Sequence, residues 1–304
     1  LRNDLRLDDH PALAEACRAG GAVLPVFIHP DAETSPCAPG AASRWWLHHS
    51  LERVDAALRA RGSRLVLRRG EPARVLEELA RGTGAGSVGW ERKVEPSARR
   101  DETRVRLALE ALGTRCHACA PNLLADPETT LTKSGGPFQV FTPFWKSASA
   151  QAPSPPLPAP ARIPAPDTWP ASLSLEDLEL LPKPDWAAGF REAWCPGEAG
   201  AAQAGTDFAD GALSEYPTAR DLPGVEGTSR LSPHLHFGEI SARRIVQELA
   251  ARAVMNTAAE AWIRQLYWRD FGHHMLFHFP HTETAPLREA FAAFPWRDDP
   301  DAAE

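Results

Sequence analysis

Eight prolines fall between residues 153 and 170 (Pro153, Pro155, Pro156, Pro158, Pro160, Pro164, Pro166 and Pro170), and no other stretch limits the fold so strongly. Proline fixes φ and supplies no amide donor, so this run can be neither a helix nor an inner strand. It predicts an extended, semi-rigid connection over residues 151–171. The stretches on either side, 1–150 and 172–304, are each long enough to bury a core. The chain is therefore read as two domains.

The first stretch alternates between two periodicities. Residues 22–28 are continuously apolar, as in a strand covered on both faces. Strands are also predicted over 64–68, 87–90 and 114–118. Leu47, Leu51, Val54 and Leu58 recur at helical spacing, with Gly62 placed to end that helix. Further helices are predicted over 72–81 and 96–112, and Asp8 or Asp9 ahead of Pro11 marks a helix start. This order predicts an α/β doubly wound parallel sheet, whose ligands sit beyond the carboxyl ends of the strands. Neither a GxGxxG fingerprint nor a Walker loop occurs, which argues against the usual dinucleotide and triphosphate sites. From Ser172 onward strand signals vanish. Helices over 173–181, 241–254 and 257–279 make the second domain all-α.

Hydrophobic residues at 43% and charged residues at 24% are those of a water-soluble globular chain. No run of 18 apolar residues and no basic leader is present, so no membrane partner and a cytoplasmic location are expected. A net charge of −7 argues against wholesale coating of nucleic acid, yet leaves room for a local basic face. Five cysteines predict reduced thiols. The pair Cys116 and Cys119 lacks a second pair at zinc spacing, and His274 with His278 lacks a carboxylate companion, so no metal site is read.

Two segments carry the functional signal. Gly227-Thr-Ser-Arg-Leu-Ser-Pro233 places the hydroxyls of Thr228 and Ser229 just ahead of Ser232 and Pro233, read as N-cap and first helical residue. Hydroxyls beside a helix start suit phosphate oxygens, although a plain capped helix reads the same way. Thr257-Ala-Ala-Glu260 has the form of a capping box. In the helix it opens, Trp262, Gln265 and Arg269 share one face, with Trp268 turned slightly aside. A guanidinium on a buried face needs an anionic partner, a phosphate or a carboxylate.

Together with Tyr216 and Arg220, these segments resemble the flavin-binding domain of the DNA photolyase and cryptochrome family, most closely a bacterial class I cyclobutane pyrimidine dimer photolyase. The resemblance runs through Trp262-Ile-Arg-Gln-Leu-Tyr-Trp-Arg-Asp-Phe271, and Gly135–Trp145 resembles the end of the family's antenna domain. It implies an α/β antenna domain (1–150), the linker, and an all-α FAD-binding domain (172–304), with the first strand and the C-terminal part of the flavin domain lacking. The implied activity is blue-light repair of cyclobutane dimers by an electron from reduced FAD, with damaged DNA as partner and a monomeric enzyme. A cryptochrome photoreceptor without repair activity, or an inactive fragment, are the alternatives.

Carried over by the resemblance, Tyr216, Thr228, Ser229, Arg230, Leu231, Ser232, Trp262, Gln265 and Arg269 would contact FAD. Arg220, Gln265 and Trp268 would contact DNA, with Trp268 packing on a flipped dimer. Gln265, Trp268 and Trp296 would take part in catalysis, Trp296 as the outermost tryptophan of a photoreduction chain. Gln265 departs from the glutamate of many dimer-repairing members: an amide hydrogen-bonds but supplies no acidic proton. Pro96 and Ser97, where folate-type members carry an Asn-Glu pair, with Glu283 and Thr284 in place of a Cys-Lys pair, count against a folate antenna and leave deazaflavin, folate or no antenna chromophore open.

Overall fold

The computed structural model describes residues 1–30, 39–252 and 256–295. Its N-terminal part contains α1 (Pro11–Arg18), β1 (Val26–His29), α2 (Ala41–Arg59), β2 (Val66–Arg69), α3 (Pro72–Thr83), β3 (Ser87–Glu91), α4 (Pro96–Glu110) and β4 (Arg115–Cys119). The helical part contains α5 (Phe141–Ala148), α6 (Ala188–Ala193), α7 (Glu198–Asp210), α8 (Tyr216–Ala219), α9 (Ser232–Phe237), α10 (Ala242–Ala251) and α11 (Thr257–His278).

All four predicted strands form, and all pair in parallel. They do so as two pairs, β1 with β2 (Val26 opposite Val66) and β3 with β4 (Ser87 opposite Arg115). The first residues lie at the seam between them. The Leu1 amine donates to the Val26 carbonyl at 2.7 Å, and Arg2 Nη2 donates to the Glu91 carbonyl at 2.7 Å. Helix α2 buries Trp45, Trp46, Leu51, Val54 and Leu58 against the first pair, whereas Trp90 packs with Val105 and Leu109 of α4 on the second. Burial of such large apolar side chains is the main stabilising term.

The helix at α1 starts one residue later than expected. His10, not Asp8 or Asp9, is the N-cap, and its Nδ1 accepts the Leu13 amide. The two aspartates form ion pairs instead: Asp9 with Arg243 at 3.0 Å, and Asp8 with Arg244 at 2.5 Å. A carboxylate meeting a guanidinium gains more than one meeting a backbone amide, so the tertiary contact wins over the local cap.

The proline-rich connection is strapped down along its length. Leu157, Pro160, Ile163 and Pro164 exchange hydrogen bonds with Asp9, Arg61 and Val23, and Ile163 is fully buried. The helix predicted over 173–181 does not form beyond one 3-10 turn at Glu176–Leu178. Leu173 N–H donates to the Leu67 carbonyl while Ser172 Oγ accepts the Leu67 amide, so this segment runs extended beside β2. Edge pairing there uses the backbone groups that a helix would need. Leu178 and Leu180 complete the core of the β1–β2 pair.

A third core gathers the helices. Phe208, Leu231, Ile245, Trp262 and Leu266 pack with Phe138, Phe141 and Phe144, which precede the linker in sequence. Helix α11 is the axis of this core. Asn256 caps it by accepting the Ala259 amide, so Thr257 is the first helical residue and the expected capping box does not form.

Candidate nucleotide-binding cavity

The loop before α9 is set by close approach. A Cβ on Gly227 would lie 2.6 Å from the Ala219 carbonyl carbon, so only glycine lets the loop lie against the end of α8. Gly238 ends α9 in the left-handed region (φ +69°), where a Cβ would strike the Asn3 carbonyl oxygen at 2.2 Å. Between them, Leu231 is the residue before the helix and makes no side-chain cap, so Ser232 is the first helical residue and not the N-cap expected. A six-residue helix has little dipole; the anion-seeking groups here are the hydroxyls and Arg230.

That loop and α11 face one cavity of about 610 Å³, in the size range of small-molecule and cofactor sites. Tyr216, Thr228, Ser229, Arg230, Leu231 and Ser232 form one wall. Trp262, Gln265, Leu266, Arg269 and His273 form another. All nine residues that the sequence offered as cofactor contacts therefore border a single space. The far wall was not foreseen: Glu91–Glu95 and Pro121–Leu123, at and beyond the carboxyl ends of β3 and β4, joined by Asn3 from the N-terminal segment. The rule that ligands lie beyond strand carboxyl ends pointed there, but no local motif marked these residues.

Arg269 is held from the N-terminal part. Its Nη2 donates to the Asn122 carbonyl, while Nη1 finds no partner among the described residues. Of the two partners expected, a phosphate or a carboxylate, no carboxylate among the described residues bonds Arg269; the free Nη1 is what an anion in the cavity would satisfy. Asn122 is itself clamped, donating to the Ile240 carbonyl and accepting the Ala242 amide, each at 3.0 Å. Next along α11, Asp270 Oδ2 accepts the Leu124 and Ala125 amides at 2.6 and 3.0 Å. Burial pulls the Arg269 guanidinium downward and pushes the Asp270 carboxyl up to about 6, in each case opposed by the other's charge.

Trp268 and Arg220 do not reach the cavity wall. Residues 262, 265, 266, 269 and 273 follow the 3.6-residue repeat, and 268 turns about 100° away from 269. Trp268 stacks on Phe141 (centroids 3.6 Å apart, 11° between planes) and keeps 46% of its surface exposed. Arg264 lies 5.5 Å from the Phe141 ring and 6.0 Å from the Trp145 ring. Arg220 sits 5.6 Å over the Tyr216 ring and 3.7 Å from Asp221. Trp296 lies outside the described residues. Pro96 is buried as the first residue of α4 beside exposed Ser97, and neither borders the cavity. Glu283 closes a 3-10 turn, followed by exposed Thr284.

One titratable cluster escaped the sequence reading. Asp4, His10 and Glu91 are buried with ligand atoms within 4.8 Å of one another. Arg6 already holds Glu91, and His10 Nδ1 already accepts an amide, so Nε2 carries the ring proton 3.4 Å from Asp4. A metal would have to displace both, and the cluster is better described as an internal ion network. The thiol of Cys119 is pushed up to about 11 by burial and then by Glu15, which is the opposite of an activated cysteine. His274 Nε2 accepts the Phe138 amide and His278 Nε2 meets the Pro127 carbonyl, so both histidines are spent on packing contacts.

An α/β layer joined to a helical part, with hydroxyls and a guanidinium around one cavity, gives the chain a site whose donors suit phosphate oxygens. The match to known families is specific. Residues 1–162 match the DNA photolyase family model, and residues 262–304 match that of the FAD binding domain of DNA photolyase. The chain belongs to the DNA photolyase family. A deoxyribodipyrimidine photo-lyase of Agrobacterium fabrum is 40% identical over 98% of this chain and 63% of its own length; Cryptochrome-1 of Arabidopsis thaliana is 31% identical over 98% and 46%. A class III photolyase from Agrobacterium tumefaciens superposes on the whole chain with a TM-score of 0.92 and 39% identity, across 63% of that structure. That similarity does not carry the class I detail of the expected resemblance. The chain thus spans less than two thirds of these relatives' length.

Proposed function

We propose that the protein repairs cyclobutane pyrimidine dimers in DNA, driven by blue light, with FAD held in the cavity between α9 and α11. The observation that carries this reading is the meeting of Thr228, Ser229 and Ser232 with the unpartnered Nη1 of Arg269 across one space. Three hydroxyls and a charged fork offer hydrogen bonds to phosphate oxygens. Trp262 and Leu231, both buried, supply apolar wall. When bound, reduced FAD supplies a photoexcited electron; the chain binds, orients and excludes water.

Gln265 borders the cavity and offers a donor and an acceptor to a flipped base, without an acidic proton. Trp268, half exposed and stacked by one face on Phe141, offers its outer face to a base, and Arg220 offers a charge to the DNA backbone. Residues 1–150 serve as antenna part, 151–171 as connection and 172–304 as flavin part. Deazaflavin and folate remain the two antenna chromophores considered. A cytoplasmic monomer is the working form of this reading.

The photoreceptor reading is favoured by Gln265 alone, which lacks the proton-sharing group of a dedicated repair site. Illumination with an oligonucleotide carrying one thymine dimer, followed by chromatography of the products, separates the two. Restored thymines with bound flavin support repair; bound flavin with intact dimers supports the photoreceptor; loss of neither dimer nor apo character defeats both.

A further inference from the structure

The cavity's far wall belongs to the α/β part, and it carries a cation of its own. Arg92, beside it, is consumed by Asp126 and Glu128 at 2.5 Å each, and Glu91 by Arg6. Lys93 is different. Its Nζ donates to the Asn3 carbonyl at 3.3 Å, and no carboxylate of the described residues lies within ion-pair distance. Two of its three donors are uncommitted. Asp4, Glu91 and Glu95 influence it from further away, and Arg2 opposes them.

With the ion-paired groups set aside, the cavity wall retains Lys93, Arg269 and Arg230, whose guanidinium lies over the Trp194 ring and donates to the Ala193 carbonyl, against Glu95. That leaves a positive excess of two, the charge of a pyrophosphate diester with opposite sign. The three cations come from three places: the loop after β3, the loop before α9, and the middle of α11. We propose that Lys93 is a further binding residue of this site, supplying from the α/β part a charged contact to the phosphates of a flavin dinucleotide. Ligand binding then adds a second tie between the two parts across the cavity, beside the Arg269–Asn122 contact, because Lys93 follows β3 and Arg269 lies on α11. Burial weakens the Lys93 ammonium, so an anion beside it restores what desolvation takes away.

This inference rests on the flavin-nucleotide reading of the cavity, and titration calorimetry distinguishes the two. FAD, ADP and riboflavin are titrated into the parent protein and into Lys93→Met and Lys93→Arg. A charge-assisted contact from a partly exposed ammonium is worth roughly tenfold in affinity. Lys93→Met is expected to bind FAD and ADP about tenfold more weakly and riboflavin unchanged, with Lys93→Arg recovering most of the loss. Urea midpoints at or above the parent's for Lys93→Met exclude a folding defect. Equal affinity of parent and Lys93→Met for FAD and ADP overturns the role of Lys93 alone. Equal weakening of riboflavin and FAD also overturns it, since the lysine then shapes the pocket without touching phosphate. A parent that binds none of the three overturns the flavin reading and this inference with it.

Discussion

Two buried groups on α11 respond to pH in opposite senses, and separating them tests the electrostatics of the site directly. Asp270 is fully buried, and burial raises its carboxyl from an ordinary 3.8 to about 6 against the pull of Arg269 and two amides. An acid with a raised folded pKa binds more protons folded than unfolded. Its contribution to stability is therefore complete below 3.8 and is lost as pH rises through about 6. At about 1.4 kcal/mol for each tenfold change in proton affinity, the loss is ~3 kcal/mol by pH 7. His274 runs the other way. Burial, then the neighbouring His278, lowers it from 6.5 to about 4, so the neutral ring is favoured and stability falls by ~3 kcal/mol as pH drops through that window.

Asp270→Asn keeps an oxygen for the Leu124 and Ala125 amides and removes the titration. The new amide nitrogen replaces Oδ1, which has no partner among the described residues, and that cost is constant with pH. Urea unfolding of parent and variant between pH 4 and pH 7.5 isolates the group as a difference. The variant should gain ~3 kcal/mol relative to the parent across that range, and its own profile should show the slope of His274 uncovered. A difference that stays flat, or that turns against the variant as pH rises, would show that Asp270 is stabilised as a carboxylate and refute the burial argument.

Other perturbations probe separate features. Gln265→Glu restores a group able to share a proton and should raise the repair quantum yield severalfold; an unchanged yield removes this residue's importance to the chemistry. Arg269→Ala deletes the guanidinium that holds Asn122 and faces the cavity, so FAD affinity in calorimetry should fall at least tenfold, while Arg269→Lys, unable to fork, should recover only part. Gly227→Ala places a methyl 2.6 Å from backbone, and should cost about 1–3 kcal/mol in urea unfolding together with flavin binding. Trp45→Ala empties the core of the β1–β2 pair and should cost ~3–5 kcal/mol with little direct effect on the cavity.

Much of the architecture was legible beforehand. The apolar runs at 22–28 and 64–68 and the proline spacing at 153–170 act through steric and solvent rules that need no distant partner. Helix α11 likewise declared its length, ending at His278 just before Pro280. The failures have two causes, distant partners and a competing neighbour. Asp8, Asp9, Thr257 and Ser232 looked like helix caps, yet Asp8 and Asp9 met arginines more than 230 residues away and Asn256 took the cap from Thr257. The helix expected at 173–181 gave way to an edge pairing with Leu67.

The primary sequence alone determined which residues could meet a phosphate, because hydroxyls ahead of a helix start and a guanidinium on one helix face are chemical facts of the chain. Only the tertiary structure decided that they border one space, that Trp268 turns from it toward Phe141, and that Lys93 and Asn122 arrive from the other part of the molecule. Spacing along a helix fixes a face; what that face meets depends on packing between segments far apart in the chain, whose energies no local pattern records.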